Sequence, residues 1–424
     1  MDINYEIYPK VLQIDTPAEV SIRGLNEQAA FTHGESYVIK LFSKVNLWEE
    51  TEISIDADAE GYIKFPVKLD TRGEYLFDVY PKDKEDAITT GHLFAVSSEF
   101  AKLKPYRGDM HIHTHYSDGR KTPIYMAVTA KKLGLDFIAI TDHNRYKPSL
   151  EAIEEAQKIG LDLLLMEGEE VSVRDKCGHI VAVCTSDWVA TAMEDLANYE
   201  KERQKIIETV LKDVQTVEGL TKEHYSHAVW VVNKIREFGG YAVIAHPYWV
   251  AGRRFHLDRL VYEQLLKDER YDGIEVLGDV VFEDNILSVA RYYDAVAEGR
   301  KIPIIGNSDT HDSAHTYGRY WTVVFAEKLD SEAIWEAILN LKSVACEHHP
   351  GEQFRAFGPF GFVEYAFFLN REFFPIHNAI CQKEGELYMN LIEDQEVDRS
   401  ELDQLKGQLS ELYEKFFYGV RRKT

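Results

Sequence analysis

Cysteine is scarce. The 424 residues hold four, at Cys177, Cys184, Cys346 and Cys381, and no two form a CxxC pair. Such spacing builds neither a disulfide framework nor a thiolate zinc site. Long apolar runs are missing as well: nothing approaches the ~18 residues of a membrane-spanning helix. The opening MDINYEIYPK has acidic residues where a secretory signal would have an apolar stretch. Positive charge is also short, with 48 Lys and Arg against 72 Asp and Glu, a net charge of −24. A chain this acidic lacks the clustered cations that polyanions require, so neither a long nucleic acid nor a membrane surface is expected as partner. A small anion can still be met by one local site. No internal repeat or low-complexity tract is visible. At 45% hydrophobic and 28% charged the composition is that of a globular protein, expected to be cytoplasmic. The length exceeds one typical domain of about 100–200 residues.

The first hundred residues carry short alternating runs: YVIKLFSKV (37–45), TEISIDA (51–57), YIKFPVKL (62–69) and EYLFDVY (74–80). Period-two alternation at short intervals predicts half-buried strands and a small all-β sandwich over residues 1–104. Its 9 basic and 19 acidic residues over 1–100 form no cationic patch. From about Tyr106 the rhythm changes to strand, loop, helix. DMHIH (109–113), DFIAITDHN (136–144), LDLLLMEGEEVS (161–172), GHIVAVC (178–184), GYAVIAHP (240–247), DGIEVLG (272–278) and KIPIIGNSDTH (301–311) read as buried strands with polar residues at their C-terminal ends. That is the pattern of parallel strands in an α/β barrel, expected over 105–348. Residues 187–225 exceed a simple connection and suggest a helical insertion, a lid beside the barrel mouth. Residues 349–424 comprise an aromatic-rich stretch, expected to be core or a homo-oligomer contact, and an amphipathic helix over 399–417.

The chemistry is concentrated at the strand ends: His111, His113, Asp118, His143, Glu170, His179, His246, Asp309 and His311. In a barrel those ends converge on one mouth. Imidazoles and carboxylates together suit Zn²⁺, Mn²⁺ or Fe²⁺. His-x-His on a strand puts both rings on one face, and Asp309 with His311 repeats the spacing. A single strand-end histidine is usually a satisfied polar residue. Nine ionisable groups at one mouth would cost several kcal/mol in desolvation and repulsion without a metal.

The pieces DMHIHTHYSDG (109–119), ITDHN (140–144), EGEEVS (167–172), CGH (177–179), IAHP (244–247) and GNSDTH (306–311) resemble, in order, the motifs of the PHP (polymerase and histidinol phosphatase) superfamily. The resemblance covers about 106–346 and implies a distorted seven-stranded α/β barrel holding two or three divalent metal ions (Zn, Mn or Fe). It implies that His111, His113 and Asp309 hold one metal, that Glu170 bridges it to a second held by His179 and His246, and that Asp118, His143 and His311 hold a third. The family pattern selects Glu170 over Glu167 and Glu169. Asp118 stands where some members have His.

The reaction so implied is metal-dependent phosphoester hydrolysis by metal-activated hydroxide, on a small, anionic phosphorylated metabolite or nucleotide. Asp142 is the expected partner orienting His143 or a water. Arg145, Arg253, Arg254 and Arg319 are candidate phosphate contacts, and Tyr248 and Trp249 are aromatic candidates at the mouth. An N-terminal β-domain before such a barrel looks like the carbaryl-hydrolase-like branch, which would imply a carboxyl- or carbamate-ester hydrolase instead. A metal-stabilised binding protein without turnover is the third reading.

Overall fold

In the computed structural model, which describes residues 4–46, 48, 50–173 and 178–419, the alternating runs of the first hundred residues form two sheets. Five strands pair in the order Val11–Gln13, Thr89–Val96, Gly73–Pro81, Ser36–Ser43 and Glu50–Asp56; three more pair as Tyr5–Tyr8, Ala18–Gly24 and Tyr62–Val67. Strict alternation of buried and half-buried residues along Ser36–Ser43 turns one face inward. Ile39, Phe77, Val79 and Leu93 of the larger sheet and Val20, Ile22, Ile63 and Phe65 of the smaller one share one hydrophobic cluster. The exposed outer strand Glu50–Asp56 carries Glu50, Glu52 and Asp56, charges that discourage further pairing along an open edge.

By contact density the chain separates into one unit of Met1–Lys104, Glu364–Lys383 and Asp398–Thr424, and a second of Pro105–Val363 and Glu384–Val397. Residues beyond 349 therefore contribute to both. In the first unit the late aromatics are spent on internal packing: Phe94 stacks on Tyr365 at 4.8 Å and Phe373 lies 4.9 Å from Phe416. Lys10 and Glu372 form a buried ion pair of 2.5 Å.

In the second unit two sheets carry the site. One runs Leu164–Met166, Phe137–Ala139, Lys104–Asp109, Tyr320–Ala326, Ser343–Glu347 and Arg355–Phe357; the other runs Gly168–Ser172, His179–Val183, Tyr241–Ile244, Gly273–Leu277 and Ile304–Gly306. Isolated parallel bridges, Ile112–Thr310 and His143–Glu170, link them, and the second joins two expected site residues. The unit is thus a mixed α/β fold. The expectation of uniformly parallel strands is corrected: His179–Val183 runs antiparallel to both of its neighbours, Gly168–Ser172 and Tyr241–Ile244. The run 161–172 is two strands, one in each sheet. His179 is the first residue of its strand, and strand reversal brings it to the same end as the others.

Helices Pro123–Lys132, capped by the Thr122 side chain, Lys147–Ile159, and Lys222–Glu237, capped by Thr221, lie between these strands. The insertion is no free lid. Its helices Val189–Ala192 and Leu196–Glu208 bury Val189, Tyr199 and Ile206 in the cluster that holds Tyr225 and Trp230. No helix among the described residues is long and apolar enough to cross a membrane.

Glu74 of the first unit offers a test of stability. Its buried carboxylate meets Lys44 at 2.7 Å, His92 at 2.8 Å and Arg371 at 2.7 Å. Burial alone would raise its pKa, but the three donors outweigh burial and hold it at about 2. A depressed value stabilises the fold above the ordinary range, near 4.5, and that contribution is lost as pH falls toward 2. Glu74→Gln is expected to cost about 1–3 kcal/mol at pH 7 and to flatten the loss of stability between pH 5 and 2, read by denaturant titration across pH.

Candidate metal centre

Each site residue follows from local chain geometry. After the strand Lys104–Asp109 the chain stays extended through His111 and His113, so both rings fall on one side. It then folds back through YSDG. A Cβ on Gly119 would lie 2.6 Å from the His113 carbonyl, so only glycine permits this approach. Asp142 holds the loop: its Oδ1 accepts from the Thr114 amide (2.8 Å), the Ser117 amide (3.1 Å) and Ser117 Oγ (2.6 Å), and its Oδ2 accepts from Thr114 Oγ1 (2.6 Å). This corrects the expected role. Asp142 shapes the loop carrying His113 and Asp118, and its acceptors are used there rather than on His143.

Alternation along Gly168–Ser172 sends adjacent glutamates to opposite faces. Glu169 caps the helix at Val189, accepting from the Val189 and Ala190 amides at 2.5 and 3.3 Å. Glu170 points into the site. His246 and Asp309 adopt left-handed backbone, φ +26° and +51°, which costs roughly 1–3 kcal/mol per residue.

The nine side chains come together around Glu170, which is wholly buried. Its Oε2 lies 3.3 Å from both His111 Nε2 and His113 Nε2, and 2.8 Å from His143 Nδ1. Its Oε1 lies 2.7 Å from His179 Nδ1 and 3.2 Å from His246 Nε2, and those two nitrogens are 3.4 Å apart. Asp309 Oδ1 lies 3.2 Å from His111 Nε2 and 2.9 Å from His113 Nε2. Asp118 sits at the open edge, 3.3 Å from His311 Nε2, 3.5 Å from His143 Nε2 and 3.6 Å from His113 Nδ1. Three convergent donor sets result: His111, His113, Glu170 and Asp309; His143, Glu170 and His179; and His113, Asp118, His143 and His311. Relative to the expected grouping, His113 and His143 each face two sets. His115 is turned away, with Nδ1 3.2 Å from the Lys121 carbonyl.

The electrostatics are those of a cation site. Burial disfavours the Glu170 carboxylate, yet His179, His111 and His143 outweigh it and hold its pKa well below the usual range. Asp309 is lowered likewise, burial being overcome by His111 and His113. Burial also opposes charge on His111, but Asp309, Glu275 and Glu170 raise its pKa well above the ordinary value. For His113 burial prevails and the pKa falls. The donors fit metal ions on a direct structural ground. His111 Nε2, His143 Nδ1 and Glu170 Oε2 are fully buried and make no hydrogen bond, although they lie a few ångströms apart. Buried donors left unbonded are costly, and a shared cation satisfies all three at once.

Two residues were missed by the sequence reading. Glu275, buried in Gly273–Leu277, accepts from the His246 amide (3.1 Å) and from Asn307 Nδ2 (2.7 Å), and lies 2.9 Å from His111 Nδ1. It orients the imidazole from behind, as carboxylates do behind metal-binding histidines. Its signal was an acid inside an otherwise apolar strand. His256 packs against His179, ring centroids 4.3 Å apart; burial and then His179 and His246 lower its pKa to about 4. Of the candidate arginines, Arg145, Arg253 and Arg254 are exposed, and Arg145 donates to the Asn144 carbonyl at 3.1 Å. Arg319 is half-buried near Asp279, whose carboxyl pKa is raised, chiefly by burial, and whose amide donates to the Ser308 carbonyl at 3.0 Å, beside Asp309. Tyr248 is buried against Phe255 and Tyr262, whereas Trp249 is half-exposed. Cys177 of the CGH motif lies outside the described residues.

Residues 109–276 match the sequence model of the PHP domain. This part of the chain is a PHP domain. The chain is similar to the uncharacterized protein MJ1587 of Methanocaldococcus jannaschii, 26% identical over 153 residues, covering 34% of this chain and 68% of that protein. It is also similar to the DNA polymerase/3'-5' exonuclease PolX of Bacillus subtilis, 27% identical over 119 residues, which span 27% of this chain and only 21% of the polymerase. Among solved structures it is similar to a two-domain protein from Bacteroides vulgatus containing a predicted PHP-like metal-dependent phosphoesterase. The identity is 20% and the TM-score 0.43, covering 58% of this chain and 66% of that one.

The PHP domain's Glu275 can be tested directly. Glu275→Gln is expected to weaken divalent-metal binding by about 10–100-fold while the far-ultraviolet spectrum stays unchanged, measured by competition with a chromogenic chelator.

Proposed function

We propose that the chain is a metal-dependent hydrolase that cleaves a phosphate ester of a small metabolite or nucleotide. What supports this reading is the set of buried, unbonded donors converging on Glu170. Divalent cations held by His111, His113 and Asp309, by His179 and His246, and by Asp118, His143 and His311, with Glu170 shared, would supply Lewis acidity and a more acidic water. The protein's own residues do the rest. Glu275 fixes His111, and Asp142 fixes the loop presenting His113 and Asp118. Asp118, His143 and His311 are the less buried members, so the substrate enters from their side. Arg319 opposes its negative charge. In this reading the strand segments that carry or adjoin His113, His143, Glu170, His179, His246, Glu275 and Asp309 close a distorted seven-stranded barrel with the site at its mouth.

Three of the four candidate arginines are exposed, which keeps carboxyl- or carbamate-ester cleavage as the competing reading. Both are tested on purified protein by metal analysis and by turnover of phosphomonoester, phosphodiester and carboxyl-ester substrates with Mn²⁺, Zn²⁺ or Fe²⁺. Phosphoester cleavage with two or three metals per chain is the expected result; cleavage of the carboxyl ester alone would replace it. Glu170→Gln is expected to lower turnover by about a hundredfold or more and to reduce bound metal, with the N-terminal unit still folded. Full activity in that variant refutes the assignment.

A further inference from the structure

The chain leaves His246 directly into a short hairpin, Val250–Ala251 with Arg254–Phe255. The hairpin is tied to the site at its start, where the Trp249 amide donates to the His246 carbonyl (3.0 Å), and is closed at its base by the His256 amide donating to the Trp249 carbonyl (2.8 Å). Two rings are thereby set against the Glu170 cluster. Trp249 meets His246 edge-on at 5.2 Å and lies 6.0 Å from His179; His256 meets His179 at 4.3 Å and Trp249 at 4.9 Å. His256 belongs to none of the convergent donor sets. Its Nδ1 is nonetheless buried without a hydrogen-bond partner, while the residue as a whole is half-exposed. An imidazole pressed on the ligand cluster, with an unused polar atom and an open edge, lacks a partner that the protein does not supply.

We propose that His256 is a specificity-determining residue that hydrogen-bonds an oxyanion substrate on the His179 and His246 side of the centre, with Trp249 as the apolar wall beside it. The substrate class is an ester whose reacting group is oxygen-rich and whose remainder has a flat apolar face to lay on Trp249. This inference rests on the hydrolase reading above. It assigns His256 no metal.

The test uses the full-length, metal-loaded protein with two readouts: steady-state kinetics on whichever ester the wild type cleaves, and binding of inorganic phosphate by calorimetry. His256→Ala and His256→Phe are expected to keep the wild-type metal content and to raise KM and the phosphate Kd by about tenfold, with kcat changed much less; His256→Gln is expected to recover most of the loss. Metal content falling in His256→Ala as it does in ligand variants would overturn the proposal, because the residue would then support the metal cluster. Unchanged KM and phosphate affinity would also overturn it, leaving the hydrolase reading intact. A wild type that cleaves no ester, yet binds phosphate in a His256-dependent way, would sink the hydrolase reading and with it the role of His256 in substrate choice, leaving only its oxyanion contact.

Discussion

Everything in the second unit is arranged around one buried carboxylate. Glu170 is fully enclosed, and five imidazoles from four segments of chain approach its two oxygens within about 3.3 Å. A lone carboxylate at that depth would take up a proton. Here the surrounding nitrogens keep it ionised, and it draws their positive charge inward. The cost of gathering these groups is repaid only when a cation replaces the protons that they would otherwise share. The left-handed backbone of His246 and Asp309 is one visible part of that cost, and the apolar strands behind the site carry it.

The supports of the cluster form a layer of their own. Glu275 and Asn307 stand behind His111, Asp142 stands behind the loop of His113, and Glu169 anchors the insertion through a helix end. Each is buried, and the acceptors of the three acids are taken by backbone amides, by the Thr114 and Ser117 hydroxyls, by His111 and by the Asn307 side-chain amide. Precision in the site therefore comes from strands and from a second set of acids, not from loops free to adjust.

The site was legible in the sequence where chemistry and chain position coincide. His-x-His and SDTH each join two donors at strand spacing, so local periodicity alone brought those donors to one side, whereas TDH contributes His143 alone. Strand direction was not legible. The runs 168–172, 178–184 and 240–247 are equally apolar whichever way they run, and only the pairing reveals that the middle one runs against the other two. The break in 161–172 was hidden for the same reason, since both halves are strand-forming. Glu275 and His256 escaped because their roles exist only across contacts distant in sequence. The small β-sheets were half visible: alternating runs such as 37–45 declared themselves, whereas Val11–Gln13 is too short to show any period. The insertion suggests a lid by its length alone, and its buried residues Tyr199 and Ile206 give no sign against it because they are spaced among Lys and Glu.

The pair Glu169 and Glu170 carries a consequence for how this chain can vary. The two acids are chemically alike and adjacent, yet one holds a helix end and the other holds the metal cluster. Sliding the strand by one residue would exchange them, emptying the site and uncapping the helix together. Gly168 guards against that slip: a side chain there would press to 2.9 Å against Thr141 and 3.1 Å against the Ile140 carbonyl. The register of a five-residue strand is thus an all-or-nothing property, and length changes between 161 and 172 are far less tolerable than substitutions in the same stretch.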